Sequence, residues 1–157
     1  MAITSTILCR HATIEDTDKL QKIIQEYAEV GIMLPRSAEL IAAAIDTFVV
    51  AEVDGKLIGC GSLCRLGRDL VEIRSLGISN GYKGLGIGRR MVEKLTEQAK
   101  QHGIPKIMAL TYEVAFFEKI GFEVVSKEIF QEKVWKDCVN CKKQHCCDEI
   151  AVLKRLD

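Results

Sequence analysis

The sequence predicts an α/β (α+β) domain, with about four helices flanking a central, mixed, mostly antiparallel twisted sheet of six to seven strands. Three observations predict it. Apolar residues follow strand and helix periods in the order strand, two helices, three strands, helix, strand, helix, strand, strand. Asp54-Gly55 separates two apolar runs and is the strongest hairpin signal in the chain, so part of the sheet is antiparallel. The glycine-rich turn Lys83-Gly84-Leu85-Gly86-Ile87-Gly88 joins a strand-like run to a long amphipathic helix.

Ile7 to His11 is the first strand, and Thr13 caps a helix from about Ile14 to Val30 whose Leu20, Ile23, Ile24 and Tyr27 recur at helical spacing. Gly31 ends it. Pro35 keeps Leu34 out of a helix, so residues 32–37 are a loop, and Ser37 caps a second short helix reaching Ile45. The period then changes to two. Phe48 to Val53 and Leu57 to Leu66 flank the hairpin, and Leu70 to Ile78 forms the next strand. The helix after the glycine turn carries Met91, Val92, Leu95 and Ala99 on one face and stops at Gly103, near His102. Lys106 to Thr111 is a strand, Tyr112 to Ile120 a short helix ended by Gly121, and Phe122 to Ser126 and Ile150 to Leu156 the last strands.

A chain of 157 residues, 48% hydrophobic, is the size of one domain with a full core, so residues 1–157 are expected to fold as a single unit with a cysteine-rich loop at 138–147. Lys and Arg number 22, as do Asp and Glu, so no net field draws nucleic acid or an anionic membrane. No run approaches the roughly 20 apolar residues of a membrane span, and the first ten residues lack a signal-peptide pattern. The expectation is a soluble cytoplasmic protein that binds neither nucleic acid nor membrane. Seven cysteines without a secretion signal read as reduced thiols or metal ligands rather than a disulfide framework.

Glycines at 84, 86 and 88 let a backbone approach a ligand closely, and the following helix offers its first N–H groups and positive dipole end to an anion. The turn is therefore a candidate pyrophosphate cradle, with Lys83, Arg89 and Arg90 adding charge. It is not a P-loop, because Gly88 is followed by Arg89 rather than by the Lys and hydroxyl residue of that motif. A dinucleotide fold would place its glycines after the first strand, whereas this turn lies past the midpoint. The alternative is a plain tight strand-to-helix connection.

The element order together with two motifs resembles the GCN5-related N-acetyltransferase superfamily. Its cofactor motif, Gln or Arg, two residues, Gly, one residue, Gly or Ala, reads Lys83-Gly84-Leu85-Gly86-Ile87-Gly88 here, with lysine in the first place. The second, an aromatic pair, one residue, Lys, one residue and Gly-Phe, reads Phe116-Phe117-Glu118-Lys119-Ile120-Gly121-Phe122. The resemblance implies acetyl-CoA as co-substrate. Backbone groups from Leu85 to Arg89 would hold the pyrophosphate, Leu76, Gly77 and Ile78 would pair with the pantetheine arm, and Phe116, Phe117 and Lys119 would lie beside the cofactor. The N–H near Leu76 would polarise the thioester carbonyl. Glu72 stands where the histone-modifying branch carries its base; the alternative is an ordinary solvent-facing or ion-paired strand glutamate. Many members put tyrosine second in the aromatic pair. Phe117 cannot donate a proton, which leaves Tyr112 as the candidate acid, with water as another source.

A narrower resemblance links Leu34-Pro35-Arg36-Ser37, Glu72-Ile73-Arg74-Ser75-Leu76, Leu110-Thr111-Tyr112-Glu113 and Lys133-Val134-Trp135-Lys136-Asp137-Cys138 to the single-domain N-acetylglutamate synthases. It implies transfer to the α-amine of an amino acid, L-glutamate first, within arginine biosynthesis. Two carboxylates on such a substrate call for cationic forks, and Arg36 and Arg74 are the candidates, with Arg65, Arg68 and Lys133 behind them. Other acceptors are another small amine or a peptide N-terminus, and a non-catalytic acyl-CoA-binding module is a further alternative. A homodimer is compatible with any of these. Cys138, Cys141, His145, Cys146 and Cys147 leave three readings open: a structural metal, buried reduced thiols, or a redox pair. Cys9, Cys60 and Cys64 read as small core residues.

Overall fold

The computed structural model describes residues 7–126, apart from 32, 34 and 80, and residues 149–156. The cysteines at 138, 141, 146 and 147, with His145 and Lys133, lie outside the described residues. The elements are β1 (Ile7–His11), α1 (Thr17–Glu29), α2 (Ala38–Ala43), β2 (Phe48–Val53), β3 (Lys56–Arg65), β4 (Leu70–Ile78), α3 (Ile87–Gln101), β5 (Lys106–Thr111), α4 (Val114–Lys119), β6 (Glu123–Val125) and β7 (Ile150–Arg155). The described strands form a seven-stranded sheet in the order β1-β2-β3-β4-β5-β7-β6. β1/β2, β2/β3, β5/β7 and β6/β7 pair antiparallel, and β4/β5 pair parallel. The mixed, mostly antiparallel sheet expected from the sequence is present.

Contacts group the chain into two compact units, Met1–Leu63 with Arg74–Glu97, and Cys64–Ile73 with Gln98–Asp157. In the first, the two faces of the sheet have different partners. Leu20, Ile23 and Ile24 of α1 and Ile41 of α2 pack on Phe48, Val50, Leu57 and Cys60, while Ile87 and Met91 of α3 pack on Ala51 and Ile58, with Leu76 and Ile78 beside them. Alternation along β2 sorts these side chains, and the register shift between Ala51 and Glu52 lets Leu57 and Cys60 of β3, three residues apart, share a face. The hairpin turn carries Asp54 at φ 52° and Gly55 at φ 80°, the two left-handed residues of a type I′ turn.

Helix ends differ from expectation for local reasons. Before α1, a 3-10 turn spans Ile14–Asp16, where the Thr13 N–H donates to the Asp16 carboxylate at 2.8 Å. Arg10 of β1 forks onto the same carboxylate at 2.8 and 3.0 Å and also donates to Glu52 of β2. That arginine holds the Asp16 carboxyl below its ordinary value. Ser37 caps α2 as expected, its hydroxyl accepting from the Leu40 N–H at 3.2 Å, but α2 stops at Ala43 and a 3-10 turn over Ile45–Thr47 leads into β2.

In the second unit, Leu66, Leu70, Met108, Ala151 and Leu153 form one core cluster. The β4/β5 ladder joins Leu70–Glu72 to Lys106–Met108, and β4 continues beyond it to Ile78.

Candidate functional site

The glycine turn holds Gly84 at φ 82° and Gly86 at φ 78°, conformations that L side chains rarely adopt. A Cβ built at either position meets nothing within 4 Å, so the backbone there is open to a ligand. α3 begins at Ile87, with Arg90 N–H donating to Gly86 O at 3.2 Å. Its first turn therefore directs the amides of Ile87, Gly88 and Arg89 outward along the helix axis. Lys83, Leu85, Arg89 and Arg90 are exposed around them, while Ile87 is buried and anchors the turn to the core. Left-handed glycines, an outward N–H cluster and three exposed cations fit a pyrophosphate.

The strand leading to this turn is irregular where the chemistry is expected. Ser75 has φ 53°, the left-handed region, and Asp54 of the hairpin is the other described non-glycine residue there. Ser62 Oγ donates to Arg74 O at 3.2 Å and Cys60 Sγ to Ser75 O at 3.2 Å. Burial pushes the Cys60 thiol up to about 12, with the nearby Gly77 amide opposing the rise. Arg36 Nη1 lies 3.4 Å from Ser75 Oγ, and its guanidinium sits 5.1 Å over the Phe48 ring. The structure thus brings Arg36 to the residue next to Arg74, two of the cationic groups expected at an acceptor site.

Tyr27 of α1 reaches the end of the same strand. Its hydroxyl accepts from Ile78 N–H at 2.9 Å and donates to Ile78 O at 2.8 Å. The ring lies over Gly77, where a Cβ would stand 2.9 Å from Tyr27 Cε1, and Lys83 Nζ sits 5.2 Å from the ring centroid. A side chain at 77 would collide with the ring.

In the second unit, Glu72 is 3% exposed, so it is not a solvent-facing strand glutamate. Tyr112 follows β5 and is 40% exposed. Phe117 is buried, with its ring edge-on to Phe116 at 5.0 Å and to Phe122 at 5.1 Å. Phe116 is half-buried and Lys119, in the last turn of α4, is exposed. Lys154 Nζ closes that helix by donating to Ile120 O at 3.0 Å. Among the described residues no group of three or more His, Cys, Asp or Glu is placed to hold a metal ion.

Sequence reasoning missed Tyr27, Cys60, Ser62 and the left-handed Ser75. The one sequence signal for them is the alternation Gly59-Cys60-Gly61-Ser62, since paired glycines in a strand mark a close approach by neighbours.

A mixed sheet whose distorted strand feeds a glycine cradle at a helix N-terminus is the arrangement that the acetyltransferase resemblance implies for an enzyme using acetyl-CoA. The chain belongs to the GNAT acetyltransferase family, whose model matches residues 17–122. It is 40% identical over 94% of its length to an uncharacterized N-acetyltransferase of Chlorobaculum tepidum, covering 95% of that protein. It is 33% identical over 78% of its length to an amino-acid acetyltransferase of Mycobacterium tuberculosis, covering 75% of it. Among solved structures, it resembles N-acetylglutamate synthase from Neisseria gonorrhoeae complexed with coenzyme A and N-acetyl-glutamate, at TM-score 0.86 and 28% identity over 99% of this chain and 36% of that one. Rv2747 of M. tuberculosis, solved in complex with CoA, matches at TM-score 0.83 and 28% identity over 96% of this chain and 99% of that one. The protein is therefore an N-acetyltransferase that uses acetyl-CoA. No helix of the described residues is long and apolar enough to cross a membrane.

Proposed function

We propose that this enzyme acetylates the α-amine of an amino acid, with L-glutamate as the preferred acceptor and N-acetyl-L-glutamate as the product, a step used in arginine biosynthesis. The observation that carries the reading is the position of Arg36: its guanidinium leaves the α1–α2 connection and leans on Ser75, beside Arg74 of the same distorted strand. Two guanidinium groups suit a substrate with two carboxylates and one amine, because each can take a carboxylate in a forked pair. The names of the relatives, amino-acid acetyltransferase and N-acetylglutamate synthase, support the same acceptor class.

Acetyl-CoA supplies the acetyl thioester, and the chain supplies binding, orientation and proton transfer. Amides from Leu85 to Arg89, with Lys83, hold the pyrophosphate. The strand edge at Leu76, Gly77 and Ile78 pairs with the pantetheine arm as an added strand would, with the Tyr27 hydroxyl competing for the Ile78 backbone groups. Phe116, Phe117 and Lys119 belong to the cofactor side in this reading, with Phe117 acting through the ring cluster it supports. The Leu76 N–H is the donor for the thioester carbonyl. Glu72 takes the proton that frees the amine, and Tyr112 returns one to the departing thiolate. In this reading residues 1–157 are a single acetyltransferase domain.

The test is CoA release from acetyl-CoA across glutamate, glutamine, aspartate and polyamines, with mass spectrometry of the product. Saturable formation of N-acetylglutamate is the expected result, with Arg36→Ala and Arg74→Ala each raising the glutamate KM by about tenfold or more. Turnover restricted to a different amine would remove the dicarboxylate pocket while leaving the cofactor site in place.

A further inference from the structure

Cys60 and Ser62 have no place in the acetyl-transfer scheme above, yet both direct their protons at one short stretch of β4. Cys60 Sγ donates to Ser75 O and Ser62 Oγ to Arg74 O, each at 3.2 Å. In a regular ladder, backbone carbonyls point along the sheet toward backbone N–H groups of the neighbouring strand. A side chain of that neighbour reaches such a carbonyl where the peptide has tipped out of the sheet, and Ser75 at φ 53° marks the tip. The nearby Gly77 amide, on the far side of Leu76, partly offsets the rise that burial imposes on the same thiol.

The peptide unit that carries the Ser75 carbonyl also carries the Leu76 N–H. No described peptide bond is cis, and in a planar trans unit these two groups point in opposite directions. Whatever holds the carbonyl aims the amide. We propose that Cys60, assisted by Ser62, is a positioning residue for acyl transfer: its thiol grips the Ser75 carbonyl and so fixes the direction of the Leu76 N–H toward the thioester carbonyl. The proposal rests on the assignment of Leu76 as that donor.

The opposite face of β3 closes the grip. A Cβ at Gly61 would lie 3.0 Å from Leu76 Cδ1 and 3.2 Å from Leu95 Cδ1, and one at Gly59 would lie 3.1 Å from Ile78 Cδ1. Leu76 is thus seated on bare backbone on one side of the strand while the peptide unit that precedes it is bonded to Cys60 on the other. Cys60 is fully buried and protonated through the working pH range, so it remains a donor throughout.

The experiment compares the full-length parent with Cys60→Ala and Cys60→Ser by the carbon-13 resonance of carbonyl-labelled acetyl-CoA bound to each, by affinity for CoA, which lacks the acetyl carbonyl, and by turnover. In the parent, the bound carbonyl resonance should move downfield of free acetyl-CoA. Cys60→Ala should bring it at least halfway back and lower kcat by about tenfold, a fraction of the loss seen when an oxyanion donor is removed outright, with CoA affinity within about twofold. Cys60→Ser should restore both. A parent-like carbonyl resonance in Cys60→Ala overturns the proposal, as does equal loss of carbonyl shift, CoA affinity and melting temperature in both variants, which marks a packing role. If Cys60→Ala does not fold, Ser62→Ala is read the same way, with a smaller expected displacement. A parent that binds CoA but shows no carbonyl shift would refute the Leu76 assignment and the grip with it, whereas a parent that binds no CoA would refute the cofactor site itself.

Discussion

Two stretches of backbone, Arg74–Gly77 and Gly84–Gly88, both carry amide groups that the proposed mechanism uses, and they reach their conformations by opposite means. The glycine turn takes its left-handed residues at Gly84 and Gly86 from the residue type, with open space around both. The β4 distortion instead forces a serine to φ 53°, a conformation that costs an L residue about 1–2 kcal/mol. Side chains from elsewhere in the chain hold it: Cys60 and Ser62 through backbone carbonyls and Arg36 through the serine hydroxyl. An anion needs several N–H groups converging loosely, which a short sequence can encode alone. Aiming one N–H at one carbonyl needs the surrounding fold.

The contrast can be broken most severely at the glycines. Gly86→Val places a β-branched residue at φ 78° and fills the cradle, so the CoA dissociation constant should rise by about a hundredfold, close to 3 kcal/mol, by titration calorimetry. Parent-like affinity would mean that the turn does not hold the cofactor. Asp16→Asn, distant in sequence from both stretches, calibrates pure stability. Loss of the Arg10 fork should cost about 2 kcal/mol in denaturant unfolding while CoA affinity stays put. Because Arg10 lowers the folded value of Asp16, this contribution is complete above the ordinary aspartate value and vanishes as pH falls through the folded one. The parent and variant should therefore converge in acid; a gap that persisted there would mean the charge is not its source. Tyr27→Phe frees both Ile78 backbone groups for the cofactor arm, and about fivefold tighter CoA binding is expected. Weaker binding would make Tyr27 a contact of the cofactor instead. The smallest effect belongs to Ser75→Gly. Relief of left-handed strain, less the freedom that glycine gives the unfolded chain, should raise stability by about 0.5 kcal/mol. Turnover should fall by about threefold as the strand loosens, and unchanged turnover would show that the distortion needs no side chain at 75.

The same contrast explains what could be read from the sequence. The Asp54-Gly55 hairpin, the strand after it and the glycine turn were legible because each depends on residues within a few positions of one another. The α2 end was less so: nothing local marks Ala43 as the stop, and the 3-10 turn that follows is set by the entry of Phe48 into the core. At the site, Arg36 was visible as a charge near a proline, but its approach to Ser75 spans 39 residues. Tyr27 read as one more apolar position on α1, and its bonds to Ile78 span 51. Cys60 read as a small core residue, which it is, yet its hydrogen bonds fall where helical and strand periodicity carry no information. Phe117 drew attention as part of a cofactor motif, and its ring lies between two other phenylalanines.

Gly59 and Gly61 bring Met91, Leu95, Leu76 and Ile78 within 3.0–3.3 Å of where side chains on β3 would begin. Volume at these positions is consequently shared property of strand and helix. A methyl group gained at 61 requires Leu76 or Leu95 to give by a few tenths of an ångström, and one gained at 59 the same of Ile78 or Met91, so changes at these positions are coupled. An engineer reshaping this part of the enzyme would find that two glycines of β3, which offer no side chain to any substrate, set the limit on what the neighbouring elements can become.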